Sequence, residues 1–305
     1  MSYGLLSTMD ASRKETILDV FQDATPKATP LMTLFKTGTA KGTVDQWVED
    51  YQARSTSETG VAEGADATYD DLTQPVRRTN LTQIITKGVK VSGTERAVSV
   101  VGGQDPLAYQ KGKNLVGLKL KWENTIINST AITSGASGTA ATMVGINAVV
   151  TSHYTALSSG TSISVAEINR VVNDVFTDVG IENMFDLIVV PMGLKQGISN
   201  LSTVLTRYQE STDKTLNFPV QIWESDGGEH RIIPHADVEN TAGTTTALFL
   251  RESAWQVAYL TGRSPFFKPI ATQGDNDKGE WISEGTLRFL AERSNAKRTG
   301  FNQNG

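Results

Sequence analysis

The sequence predicts an α+β fold, with helices and sheet segregated along the chain. Three observations carry that expectation. Two helices are clearly signalled, near 105–131 and 164–180. Apolar or alternating runs suited to strands crowd the region from Phe185 onward. Gly occurs 27 times and Ser and Thr fill many segments, which suits strands and extended loops more than a helical bundle.

The 305 residues suffice for one large domain or two. With 38% hydrophobic and 20% charged residues, the composition is that of a soluble protein lean in core formers. The absence of Cys excludes a disulfide, a thiolate-bound zinc and a cysteine nucleophile, and fits a reducing compartment. The opening MSYGLLSTMDASRKE lacks a charged start followed by an apolar run, so no signal peptide is expected. No stretch approaches the roughly 18 apolar residues that span a bilayer. A net charge of -5 argues against a general DNA-binding surface.

Order is weak at the start. A short helix is expected over Ser12–Phe21, and Pro26 and Pro30 then favour an extended arm. Leu31, Leu34 and Phe35 make a small apolar anchor, docked either on its own domain or on a neighbour. QWVEDY reads as a strand. From Asp45 to Asp71, eight acids stand against Arg54 alone, a local charge of about -7. Between Arg54 and Asn80 the large apolar residues are few: Val61, Tyr69, Leu72 and Val76. Such a segment buries too little to order itself. Its strand-like flanks, VEDYQAR and QPVRRTNLTQIITKGVKVSG, predict a long two-stranded loop. An isolated hairpin is marginal in water, so a long one implies a partner. Arg77 and Arg78 are placed to meet acids such as Asp70 and Asp71, in this chain or in a neighbouring copy.

Asp105-Pro106 pairs an N-cap with Pro at the first helical position. Leu107, Lys111, Leu115, Leu118, Trp122 and Ile126 trace one face of a helix roughly 40 Å long. Lys111, Lys113, Lys119 and Lys121 keep its outer side cationic. A Gly/Ser/Thr-rich loop follows. Ser164 to Glu167 is a capping box, Val165 to Val179 supplies an apolar stripe, and Gly180 closes that helix. FDLIVV is an apolar strand, Met192–Leu201 a short helix, and VQIWESDGGEHRIIP a hairpin turning at Asp226-Gly227-Gly228. TTALFLRES and WQVAYL are strands, PFFKPIA is extended, and EWISEGTLRFLAERSNAKRTGF closes as one long strand.

Catalytic signals are poor. His230 and His235, with Asp226 and Asp237, form the best candidate metal set. A spacing of five along a strand points the rings to opposite sides, so both read as turn or surface residues. No phosphate loop, nucleophile elbow or HExxH occurs. VGGQDP reads as the turn before the long helix, and DNDKGE as a solvated turn that lacks a calcium loop's distant Glu. Arg293, Lys297, Arg298 and Phe301 read as an exposed tail. No catalytic, cofactor-binding or metal-binding residue is assigned, and no cofactor or enzymatic activity is expected.

NLTQIITKGVKVSGTERAV, QDPLAYQKGKNLVGLKLKWENTII, FDLIVVPMGLKQGIS, VQIWESDGGEHRIIP and GEWISEGTLRFLAERSNA, in that order, resemble the major head (capsid) proteins of tailed bacteriophages. The resemblance covers most of the chain from Asn80. It implies the Hong Kong 97-type fold: an N-terminal arm over 1–44, an extended E-loop hairpin over 45–88, and a peripheral domain over 89–180 with its spine helix at 105–131. An axial domain over 181–260 and a strand over 261–305 returning to the peripheral domain complete it. The implied function is an icosahedral head shell enclosing double-stranded DNA without sequence-specific binding. The implied partners are copies of the chain in pentamers and hexamers, with scaffold, portal and cement proteins besides. The implied location is the virion, after assembly in the host bacterial cytoplasm. The fold's best-known member crosslinks an E-loop lysine to a neighbour; between Thr43 and Thr86 this chain has no Lys, so no such isopeptide is expected. The competing readings are a cellular nanocompartment shell, a tail or fibre protein, and a metal enzyme built on His230 and His235.

Overall fold

The computed structural model describes residues 26, 28–52, 60, 62–66, 74–98, 105–201 and 221–303. The helix expected over Ser12–Phe21 lies outside them. The first part of the chain forms α1 (Pro30–Leu34), β1 (Lys36–Ala40), β2 (Val44–Glu49), β3 (Val76–Leu81), β4 (Gln83–Ser92) and α2 (Gly93–Ala97). Then come α3 (Pro106–Asn128), α4 (Ile146–Val149), β5 (Tyr154–Thr161), α5 (Val165–Val179), β6 (Leu187–Val190) and α6 (Met192–Asn200). The remainder is β7 (Gln221–Ser225), β8 (Gly228–Pro234), β9 (Thr245–Leu250), β10 (Trp255–Leu260), β11 (Phe266–Ile270), β12 (Asn276–Phe289) and β13 (Ala296–Phe301).

Two sheets carry the body. β1, β10, β12 and β11 lie in that order, with β4 also pairing β12, making a five-stranded sheet. The other sheet has six strands in the order β5, β13, β9, β6, β8, β7. Among the described residues β2 and β3 pair only with each other.

Alternation along β6 and β9 divides the core in two. Leu187, Val189, Leu248 and Leu250 face a first cluster with Leu118, Trp122, Ile126 and Ile127 of α3, Trp255 and Leu287. Ile188, Val190, Ala247 and Phe249 face a second cluster with Val171, Val172 and Val175 of α5 and Leu194 of α6. A strand buried on both faces has no polar side to offer, which is why β6 reads LIVV.

Helix α3 starts as its sequence requires, with Pro106 at its first turn and the Asp105 carboxylate accepting from Leu107 N. It ends at Asn128, three residues short of the expected Ala131. There the chain doubles back and Gly145 lies against the helix end, where a Cβ would sit 2.7 Å from the Ile126 carbonyl. Met143, Ile146 and Val150 of the supposedly featureless loop are fully buried in the first core.

Several expectations need correction. Pro30 does not extend the arm; it opens α1, because a helix's first turn has no use for the missing N–H. α1 docks on its own subunit, with Leu31 and Phe35 buried. The returning strand of the two-stranded loop ends at Leu81, and residues 83–88, assigned to the loop, pair with β12 inside the five-stranded sheet. α5, grouped with the long helix, packs in the second core instead. DNDKGE is not a free turn: Asn276 to Glu280 begin β12, paired with β4. The terminal strand is two strands, split at a 3-10 turn over Glu292–Ser294, with β12 in one sheet and β13 in the other. The basic end is therefore not an exposed tail. Arg298 and Phe301 are buried, and the Arg298 guanidinium meets Asp174 of α5.

Candidate functional site

The β2–β3 ribbon has a wet side and an anchored side. Cross-strand register puts Val44, Gln46 and Val48 on one face with Leu81, Thr79 and Arg77. Val44 and Val48 are 49% and 64% exposed, so this face lacks the cover that a β-branched row usually finds. The opposite face carries Asp45, Trp47 and Glu49 with Asn80 and Arg78, and these side chains hold the root of the ribbon to the body.

Each anchor meets a different part of the subunit. Asn80 is fully buried and hydrogen-bonded on both ends: its Nδ2 donates to the Leu287 and Val144 carbonyls, and its Oδ1 accepts from Val144 N. The Asp45 carboxylate takes both Nε and Nη2 of Arg288, a two-pronged charge-assisted contact. Trp47 Nε1 donates to the Phe289 carbonyl at 2.6 Å, and its ring meets the Phe289 ring edge-on with centroids 4.8 Å apart. Glu49 accepts from Glu292 N and pairs with Arg78. Arg78 thus bonds within the ribbon; Asp70 and Asp71, its expected partners, lie outside the described residues.

Just past β2, Tyr51 reaches α5. Its hydroxyl donates to Asp178, and the Arg293 guanidinium lies over its ring at 3.9 Å. Arg293 also donates to both Asp178 oxygens, at 3.1 and 3.0 Å. Burial alone would raise the Asp178 pKa, but the Tyr51 hydroxyl and Arg293 outweigh it and hold the carboxyl below its ordinary value. The same bond to Asp178 raises the Tyr51 pKa.

A second anchor fixes the arm. Glu123 of α3 is fully buried. Its Oε1 accepts from Leu31 N at 2.7 Å and from His235 Nε2 at 2.9 Å, and its Oε2 accepts from Met32 N at 3.0 Å. Asp237 N donates to His235 Nδ1, so the ring proton sits on Nε2, facing the carboxylate. Three donors satisfy a charge that would otherwise be prohibitive to bury.

The histidines are thus not the surface residues that their hairpin setting implied. His230 is buried, stacked on Phe185, with Nδ1 on the Phe185 carbonyl and Nε2 on the Ser225 hydroxyl. Burial lowers its pKa against a smaller upward pull from that carbonyl and Asp186. His235 joins Glu123 beside the first core. They serve different clusters, and among the described residues no group of three His, Asp or Glu side chains has the geometry of a metal site. Hairpin chemistry made these residues look exposed; their burial depends on Phe185 and Glu123, 45 and 112 positions away. A groove of about 650 Å³ runs between α3 and β4, lined by Ile84, Thr86, Lys87, Leu120 and Lys121. Lys121 Nζ crosses it to the Thr86 carbonyl. Among the described residues no helix is long and apolar enough to cross a membrane.

Comparison with known proteins places this architecture. The capsid of cyanophage A-1(L) is 12% identical, with 98% of each chain covered and a TM-score of 0.68. The holo-SrpI encapsulin of Synechococcus elongatus is 13% identical over 96% of this chain and 94% of that one, with a TM-score of 0.65. The capsid of an empty GTA particle is 10% identical over 98% of this chain and 100% of that one, with a TM-score of 0.64. At such identities the likeness is one of fold, and that fold is the Hong Kong 97 type. No curated protein matches the sequence. The family model for the SU10 major capsid protein matches residues 5–302, nearly the whole chain. This chain therefore belongs to the SU10 major capsid protein family and is a shell subunit of a phage head.

Proposed function

We propose that the subunit builds pentamers and hexamers of a closed head around double-stranded DNA, with the β2–β3 ribbon as its principal reach onto a neighbour. The supporting observation is the ribbon's open face: Val44 and Val48 are exposed on strands that, among the described residues, pair with nothing but each other. Burying that face against a second copy recovers apolar surface that the monomer leaves wet, and obligate interfaces of roughly 2,000–5,000 Å² supply what a lean core lacks. On this reading the five-stranded sheet with α3 forms the peripheral domain. The six-stranded sheet with α5 and α6 forms the axial domain. Residues 28–44 belong to an arm tied down at Glu123 through Leu31 N and Met32 N.

The chain acts through assembly, without catalysis. Its net charge of -5 keeps electrostatic adhesion to packaged DNA weak, so the genome is enclosed rather than recognised. Scaffold, portal and cement proteins complete the head, which assembles in the host bacterial cytoplasm.

Negative-stain microscopy of the expressed protein tests this directly. Closed shells are expected. Tubes or free trimers would favour a tail or fibre role, and subunits that stay monomeric under all conditions, viral partners included, would refute any shell. A nanocompartment shell is the second reading, suggested by the encapsulin likeness; particles purified from infected cells without DNA would support it over a phage head.

A further inference from the structure

The ribbon root touches two bodies. Asp45 and Trp47 hold Arg288 and Phe289, at the end of β12 in the five-stranded sheet. Glu49 holds the 3-10 turn between the two sheets, and Tyr51 holds α5, which packs with the six-stranded sheet. The switch falls within a single strand and the two residues after it. It coincides with the point where the C-terminal chain itself passes from β12 to β13, from one sheet to the other.

The two ends of this root differ in kind. The Asp45–Trp47 end rests beside the first core, with Asp45 and Asn80 buried. The Tyr51 end is a half-buried cluster of one hydroxyl, one carboxylate and one guanidinium, with the His153 ring nitrogen 3.2 Å from the same carboxylate. Tyr51 and Arg293 both direct their polar groups at Asp178. Tyr51 contributes little packing to either core, and among the described residues of the ribbon and its flanks, 44–52 and 74–81, its hydroxyl is the one side-chain group bonded to α5.

We propose that Tyr51 is a positioning residue for assembly: clamped by Asp178 and Arg293, it ties the ribbon to the six-stranded sheet, so that both sheets together set the direction in which the ribbon leaves the subunit. A subunit tethered at the Asp45–Trp47 end alone still folds, but its ribbon swings. A change in the angle between the sheets is then no longer passed to the ribbon. This rests on the reading of the ribbon as an intersubunit element. A shell that bends one chain into two kinds of ring needs such a linkage to keep ribbon and body in register.

The test compares the full chain with its Tyr51→Phe variant, which keeps the ring under Arg293 and loses only the hydroxyl. Arg170→Gln, at an exposed position on α5, is the control. Backbone hydrogen exchange of unassembled subunits should quicken roughly tenfold over 44–49 and 76–81, the factor expected for losing one charge-assisted bond, while 165–179 is unchanged. Microscopy of assembled particles should show a wider spread of diameters for Tyr51→Phe than for Arg170→Gln. Ribbon exchange unchanged within twofold would overturn the proposal. So would equal acceleration in α5, which would make Tyr51 a simple brace for that helix. If the wild-type chain forms no shells, the assembly reading fails, and the exchange result still decides whether Tyr51 holds the ribbon.

Discussion

Replacing Glu123 with Ala removes the acceptor shared by the arm, the long helix and His235. Three donors lose their partner: Leu31 N, Met32 N and His235 Nε2. Leu31 and His235 are 0% and 5% exposed, so water cannot replace the carboxylate there without opening the site; Met32 is half-buried and rehydrates more easily. Each stranded buried donor costs about 1–3 kcal/mol, and breaking a buried charged contact costs about 3–5 kcal/mol as a whole. The expected loss is therefore about 3–5 kcal/mol. That is a large share of the roughly 5–15 kcal/mol that keeps a domain folded. Urea unfolding of unassembled subunits, followed by tryptophan fluorescence, measures it, and limited proteolysis near 26–35 reports whether α1 has undocked. Glu123→Gln sharpens the test. Its carbonyl replaces one oxygen, but its NH₂ then faces another donor, since Asp237 N already occupies His235 Nδ1. An intermediate loss of about 1–3 kcal/mol is expected. A double cycle with His235→Ala should show coupling above about 1 kcal/mol. A cost below about 1 kcal/mol for Glu123→Ala, with an unchanged cleavage pattern, would refute the idea that this carboxylate holds the arm.

Other consequences are open to measurement. His230 has a pKa lowered by burial, so the unfolded chain takes up its proton first as pH falls below about 6.5; stability should be full above that pH and decline below it, and His230→Gln should flatten the decline. Asp178, with its pKa held down, adds a separate loss only at pH below its ordinary value of 3.8, which an acid titration of Asp178→Asn would remove. At Gly285 an added Cβ would lie 2.7 Å from the Ala258 carbonyl and 3.2 Å from the Trp122 ring, so Gly285→Ala should lower stability by about 1–3 kcal/mol in thermal unfolding. Mature particles boiled in SDS should release monomers of 32.9 kDa, because residues 44–85 hold no Lys; covalent ladders would contradict this.

What the sequence determined by itself is whatever neighbouring residues settle among themselves. The capping box at Ser164, the Val stripe of α5 and the closing Gly180 fix a helix without reference to the rest of the chain. Asp105-Pro106 starts α3, and Asp226-Gly227 turns the β7–β8 hairpin, for the same local reason. The order of these segments was enough to show the family resemblance, and the poverty of the acidic stretch pointed to a partner. Tertiary structure alone decided what depends on distant contacts. β1 looks like part of a weak arm because Lys36–Ala40 becomes a strand only beside β10, more than 200 residues later. β12 and β13 read as one strand because no local signal says that a chain will change sheets. His230, His235 and Arg298 look like solvated polar residues, since a burial cost is met only by partners far along the sequence. The ribbon root belongs to that second group: its sequence makes a strand, but only the fold brings Arg288, Phe289, Arg293 and Asp178 together to aim it.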